Sequence, residues 1–126
     1  MARILVIENE ASIRTNLVRF LKLENFDVVA AEDGTQGLAL ARAQRPDLVL
    51  CDLLMPGMDG DAVLASLRSE ASTRSIPLIF LTASADYSQR EVRIAQGAAD
   101  YLVKPVDFQK LLATLRRHLG DQYASP

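Results

Sequence analysis

The feature that most constrains this chain is the stretch at residues 47–60, DLVLCDLLMPGMDG. Leu48, Val49, Leu50 and Cys51 make an uninterrupted apolar run of the length of a short strand. Such a run, bounded by breakers, reads as a strand covered on both faces, as in a parallel sheet. Pro56-Gly57 then forces a turn. Asp52 is thereby placed at the carboxyl end of a buried strand, the edge of an open α/β sheet where ligands and chemistry gather. A carboxylate there loses hydration and needs compensation from its neighbours.

Four more apolar runs are spaced along the chain, at residues 4–7, 26–31, 77–81 and 101–103, the one at 26–31 the weaker pattern. Between them lie helical patterns. Ile13, Leu17, Phe20 and Leu21 share one face of a first helix, which ends at Glu24-Asn25. Asp33, with Gln36 three residues on, opens a second helix through Leu38 and Ala41 that stops before Pro46. Asp59 caps a third, with Val63, Leu64 and Leu67 inward, and residues 69–75 form a polar loop. A fourth starts near Ser88, paired with Glu91 as a capping box, and Gly97 closes it. Its apolar face, Val92 and Ala95, is thin, the mark of a helix free to move or awaiting a partner. The fifth, capped by Asp107, carries Phe108, Leu111, Leu112, Leu115 and Leu119 on one stripe, with Gly120 at its C′ position.

Five strands alternating with five helices over short connections predict an α/β fold: a doubly wound, five-stranded parallel sheet, flavodoxin-like, with helices on both faces. The expected organisation is one domain over residues 1–120 and a flexible tail over 121–126. A chain of 126 residues supports a core without staples. Fourteen basic and sixteen acidic residues give a net charge of −2, which argues against nucleic-acid binding by the domain itself. The single cysteine, Cys51, excludes an internal disulfide and reads as a small buried hydrophobe in a reducing compartment. The N-terminus lacks a signal-peptide pattern and no stretch is long enough to span a bilayer, so a cytoplasmic location is expected.

The strand ends carry the chemistry: Glu8-Asn9 after the first, Asp52 after the third, Thr82 after the fourth and Lys104 after the fifth. In the order 2-1-3-4-5 the first and third strands are neighbours, about 4.8 Å apart, so Glu8, Asn9 and Asp52 share one pocket. Crowded oxygen ligands call for a hard cation, and Mg²⁺ is the natural choice. With Thr82 and Lys104 on the same rim, the pocket suits phosphoryl transfer onto Asp52 as nucleophile. The cations and the hydroxyl would neutralise the transferring oxygens.

ILVIENE, DLVLCDLLMPGMDG, IPLIFLTA and GAADYLVKP stand in this order and at this spacing in the receiver domain of two-component response regulators, which the chain resembles over essentially its whole length. The resemblance implies a signalling domain rather than an enzyme, with Asp52 as phosphoacceptor, charged by a histidine kinase or phosphotransfer protein with Mg²⁺ bound. It implies a metal shell of Glu8 (through water), Asn9, Asp52 and the backbone carbonyl of Leu54. Thr82 would swing toward the phosphoryl group, Tyr101 would turn inward as an aromatic switch, and Lys104 would pair with a phosphoryl oxygen. The Lys104-Pro105 bond is expected to be cis. The expected output surface is the fourth helix, fifth strand and fifth helix, next to Thr82 and Tyr101. Its Arg90, Arg93, Asp100, Lys110 and Arg116 suit a downstream protein or output domain, or a symmetric homodimer.

One position departs from the family. Asn9 stands where a second carboxylate is usual, so Mg²⁺ affinity should fall; its alternative role is cap of the first helix. Leu54 is apolar where a polar group would guide water, so self-dephosphorylation should be slow. Tyr101 also reads as plain core, and His118 as solvated surface at a helix C-terminus. Asn9 is the only support for a phosphate-independent pseudo-receiver acting as a binding module. Leu54 argues against an aspartyl-phosphate hydrolase, and the lack of a glycine-rich loop after the first strand argues against a dinucleotide or flavin carrier. No output segment follows Gly120, so the chain is expected to act through surfaces, alone or as the receiver piece of a longer protein.

Overall fold

The alternation of apolar runs and amphipathic stretches becomes ten elements in the computed structural model, which describes residues 1–83 and 88–120. They are β1 (Arg3–Ile7), α1 (Ala11–Leu23), β2 (Asp27–Ala31), α2 (Gly34–Gln44), β3 (Leu48–Asp52), α3 (Gly60–Ser69), β4 (Leu78–Thr82), α4 (Ser88–Ala95), β5 (Asp100–Val103) and α5 (Phe108–Leu119). The strands pair in parallel in the order β2-β1-β3-β4-β5, as expected of a doubly wound sheet. Among the described residues no helix is long and apolar enough to cross a membrane.

Strand alternation sorts the core into two layers. Leu5, Ile7, Val49, Cys51, Leu78, Phe80 and Tyr101 point to the face covered by α2 and α3, meeting Leu38, Ala41, Val63, Leu64 and Leu67. Ile4, Val6, Leu48, Leu50, Ile79, Leu81 and Leu102 point to the other, where α1 supplies Leu17 and Leu21 and α5 supplies Leu111, Leu112, Leu115 and Leu119. Every residue of β3 and β4 is buried, whereas β2, at the sheet edge, is only half-buried. That exposure explains its weaker apolar pattern.

The caps fix where the helices begin. Asp33 Oδ1 accepts from Gln36 N at 2.8 Å, and Gln36 Oε1 accepts from Glu32 N, one residue before the partner of a standard capping box. Asp59 Oδ1 accepts from Ala62 N at 2.9 Å, and Asp107 Oδ1 from Gln109 N and Lys110 N. α2 ends in the left-handed Arg45 (φ 46°), immediately before Pro46. Gly120, with φ 83°, is the C-cap of α5 rather than its C′ residue.

Three local expectations fail. Asn9 does not cap α1; the N-cap is Glu10, whose side chain makes no capping bond. Val92 and Ala95 are not the inner face of α4: Val92 is 51% exposed, Ala95 is exposed too, and Ile94 packs on the core instead. Arg90 and Arg93 turn inward beside it, toward acids on β5 and α3. His118 is not free surface, since its Nε2 lies 3.0 Å from Asp100 Oδ2 and the side chain is largely covered. The side chain of Ser88 with its capping pair to Glu91, and the tail at 121–126, lie outside the described residues.

Candidate functional site

The sheet order decides which residues meet. Ile7 pairs with Cys51 in the β1–β3 register, so the next residues, Glu8 and Asp52, emerge side by side from the carboxyl edge. Thr82 pairs with Val103 on the far side of β3, which brings Lys104 to the same edge. Glu8 is fully buried, and Asp52 and Thr82 nearly so. The Lys104 amide donates to the Thr82 carbonyl at 2.6 Å, and the Lys104-Pro105 bond is cis, as expected.

Lys104 Nζ stands 2.8 Å from Glu8 Oε2 and 3.3 Å from Asp52 Oδ1. One ammonium thus faces two buried carboxylates, leaving the trio one negative charge in excess. Burial pushes the Asp52 carboxyl above the ordinary range and the charge on Glu8 pushes it the same way, while Lys104 pulls back only in part. Burial works against the Lys104 charge, but Glu8 and Asp52 outweigh it and hold the ammonium above the usual lysine range. Glu8 Oε1 accepts from Glu10 N at 3.1 Å. Glu8 Oε2 is buried with the Lys104 ammonium at 2.8 Å and no other partner among the described residues, so it is otherwise an orphaned oxygen.

That orphan and the excess negative charge are what a divalent cation would satisfy, and the donors at hand are hard oxygens suited to Mg²⁺. Among the described residues no three His, Cys, Asp or Glu side chains gather around a metal position. Glu8 and Asp52 are the only acids of the expected shell. Asn9 lies exposed at its mouth, and Leu54, in the loop after β3, turns a side chain 71% exposed toward solvent. The donor set therefore fits Mg²⁺ with one charge fewer than two carboxylates and an aspartate in place of Asn9 would give.

Tyr101 is buried in the layer under α2 and α3, with no hydrogen-bond partner for its hydroxyl among the described residues. Cys51 donates from Sγ to the Asp52 carbonyl at 3.3 Å, and burial pushes its thiol well above the ordinary range, so it is inert. Two clusters were not foreseen. Asp100 is ringed by Arg90, Arg117 and His118, and Asp61 of α3 holds Arg93 of α4 through two bonds of 3.1 Å. Their partners lie 10 to 32 residues apart, beyond any helical or strand period that would have revealed them.

Residues 4–116 match the response regulator receiver domain family. The chain is 39% identical to protein PilH of Pseudomonas aeruginosa over 120 residues, covering 95% of this chain and 99% of that one. It superposes with a TM-score of 0.89 on the chemotaxis protein CheY4 of Vibrio cholerae, at 32% identity over 94% of this chain and 99% of that chain. The receiver domain of the sensor histidine kinase PA1611 from Pseudomonas aeruginosa, which has a magnesium ion coordinated in its active-site cleft, superposes with a TM-score of 0.86. It is 32% identical, over 95% of this chain and 98% of that one. Other relatives are longer, and the chain spans about half their length.

Proposed function

This chain belongs to the response regulator receiver domain family, and from that membership we propose that Asp52 accepts a phosphoryl group and that the chain signals by the resulting change of shape. The observation that carries this reading is the single ammonium of Lys104 set between Glu8 and Asp52 at the carboxyl edge of the sheet, with Thr82 on the next strand.

In the proposed step an Asp52 carboxylate oxygen attacks phosphorus, an acyl phosphate bond forms, and the bond from phosphorus to the donor breaks. The donor's leaving atom, an imidazole nitrogen in a histidine kinase or phosphotransfer protein, keeps the electron pair and takes a proton. Lys104 keeps Asp52 ionised beforehand and then faces an oxygen of the transferred group, and Thr82 offers a hydroxyl on the same side. Glu8, Asn9, Asp52 and the backbone carbonyl of Leu54 would hold Mg²⁺. When bound, Mg²⁺ supplies the positive charge that neutralises the phosphoryl oxygens as they arrive.

Thr82 and Tyr101 then carry the change to the α4–β5–α5 surface. There a downstream protein, an output domain or a second copy of the chain would read it, in the cytoplasm. The exposed apolar Leu54 gives water no polar guide toward the phosphoryl group, so self-dephosphorylation is slow. Asn9 favours a second reading, a pseudo-receiver that binds its partner without phosphate.

Borohydride reduction separates the two. After incubation with acetyl phosphate and Mg²⁺, reduction of an acyl phosphate converts the aspartate to homoserine, and peptide mass mapping should place that change at Asp52 alone. An unmodified Asp52 peptide would favour the pseudo-receiver.

A further inference from the structure

Helix α4 is tied to the fold by arginines more than by apolar packing. Ile94 packs on the core, while Val92 and Ala95 face solvent. Three guanidinium contacts hold the helix and the turn after it. Arg90 Nη2 reaches Asp100 Oδ1 at 3.4 Å. Arg68 of α3 donates to the Gly97 carbonyl from Nε and Nη2 at 3.1 and 3.0 Å. Arg93 grips Asp61 from Nε and Nη2, both at 3.1 Å.

The third contact differs in what lies on either side of it. The Arg93 guanidinium carbon is 6.0 Å from the centroids of both the Phe80 and the Tyr101 rings, within cation–π reach, and the side chain is only 14% exposed. The Tyr101 hydroxyl is buried without a hydrogen-bond partner among the described residues, a cost the tyrosine would shed by moving out. On the other side, Asp61 follows Gly60. A Cβ on Gly60 would stand 2.6 Å from the Asp52 carbonyl oxygen and 2.8 Å from Phe80 Cε1, so the first turn of α3 packs against the backbone of Asp52 too closely to admit a side chain.

From these contacts we infer that the Asp61–Arg93 fork is a latch that holds Tyr101 in its buried position and ties that position to the backbone carrying Asp52. Asp61 and Arg93 are positioning residues, touching neither the phosphoacceptor carboxylate nor Lys104. A two-bond carboxylate grip fixes the guanidinium plane as well as its place, and a fixed plane over two rings blocks the exit of the tyrosine. The signalling consequence rests on the Asp52 reading above: if phosphorylation favours the buried tyrosine, the latch and phosphorylation favour each other equally. The latch itself is present without phosphate.

The test uses the whole chain labelled with 3-fluorotyrosine, with Tyr101 assigned by Tyr101→Phe against Tyr87 and Tyr123. Fluorine NMR of the unphosphorylated protein should show one population-averaged Tyr101 line, largely shielded from a soluble paramagnetic probe. Asp61→Ala, a change at a side chain 43% exposed and so safe for folding, should shift or split that line and expose it to the probe. Asp61→Glu should restore the shielding. The affinity of Asp61→Ala for beryllofluoride, a mimic of the phosphoryl group, should fall about fivefold, near the low end of ordinary coupling between sites. A Tyr101 line unchanged in Asp61→Ala, or equally exposed in Asp61→Glu, overturns the latch. Should the wild type take no phosphate, the phosphoacceptor reading fails while the fluorine spectrum still decides the latch.

Discussion

Lys104 Nζ lies within 3.3 Å of both Glu8 and Asp52, so one ammonium is shared by two carboxylates that emerge from adjacent strands. Removing it leaves two buried negative charges facing each other. Lys104→Met should therefore destabilise the metal-free fold at neutral pH by about 1–3 kcal/mol, below the figure for a fully buried pair because water reaches the ammonium. Urea unfolding in EDTA measures this, and an unchanged midpoint would show that the trio is not coupled.

The raised Asp52 carboxyl fixes a pH dependence. A carboxylic acid whose folded value lies above its unfolded value binds more protons folded than unfolded, so stability falls as pH rises through that window. The window opens near the ordinary aspartate value of 3.8 and closes once pH exceeds the raised folded value. Asp52→Asn removes the penalty. In EDTA the mutant should be the more stable protein at pH 7, and its advantage should shrink as pH falls through the window. Mg²⁺ should narrow the difference at pH 7 by neutralising wild-type Asp52. A constant difference across pH would contradict the assignment.

Asn9 stands at the mouth of the oxygen cluster with no charge of its own. Asn9→Asp should tighten Mg²⁺ binding on the order of tenfold, the gain expected from one more carboxylate donor. Calorimetric titration reads it directly. Equal affinity would place residue 9 outside the metal shell.

The exposed side chain of Leu54 offers no polar group to water. The aspartyl phosphate should decay over minutes or longer, and Leu54→Asn should speed its loss about tenfold by orienting a water for attack. Phosphate release from the purified phosphoprotein gives both rates. Decay within seconds in the wild type would remove the role given to Leu54.

The sheet was legible because each buried strand is a short apolar run closed by polar residues or a breaker, and alternation along it assigns each side chain to a face. The meeting of Glu8, Asp52, Thr82 and Lys104 at one edge follows from strand order alone. Periodicity failed at α4, where it sought an apolar inner face in Val92 and Ala95. The helix instead turns Arg90 and Arg93 toward Asp100 and Asp61, which are remote in sequence. His118 was misread for the same reason, its partner Asp100 lying 18 residues away. Local pattern reports burial of apolar groups well, but it is silent on charged groups buried by pairing.

The central claim is a Mg²⁺-dependent phosphoacceptor at Asp52, and intact-protein mass after acetyl phosphate tests it most directly. The account predicts a gain of one phosphoryl group that needs Mg²⁺ and is absent from Asp52→Ala. No gain at saturating Mg²⁺, or an equal gain in Asp52→Ala, would contradict it.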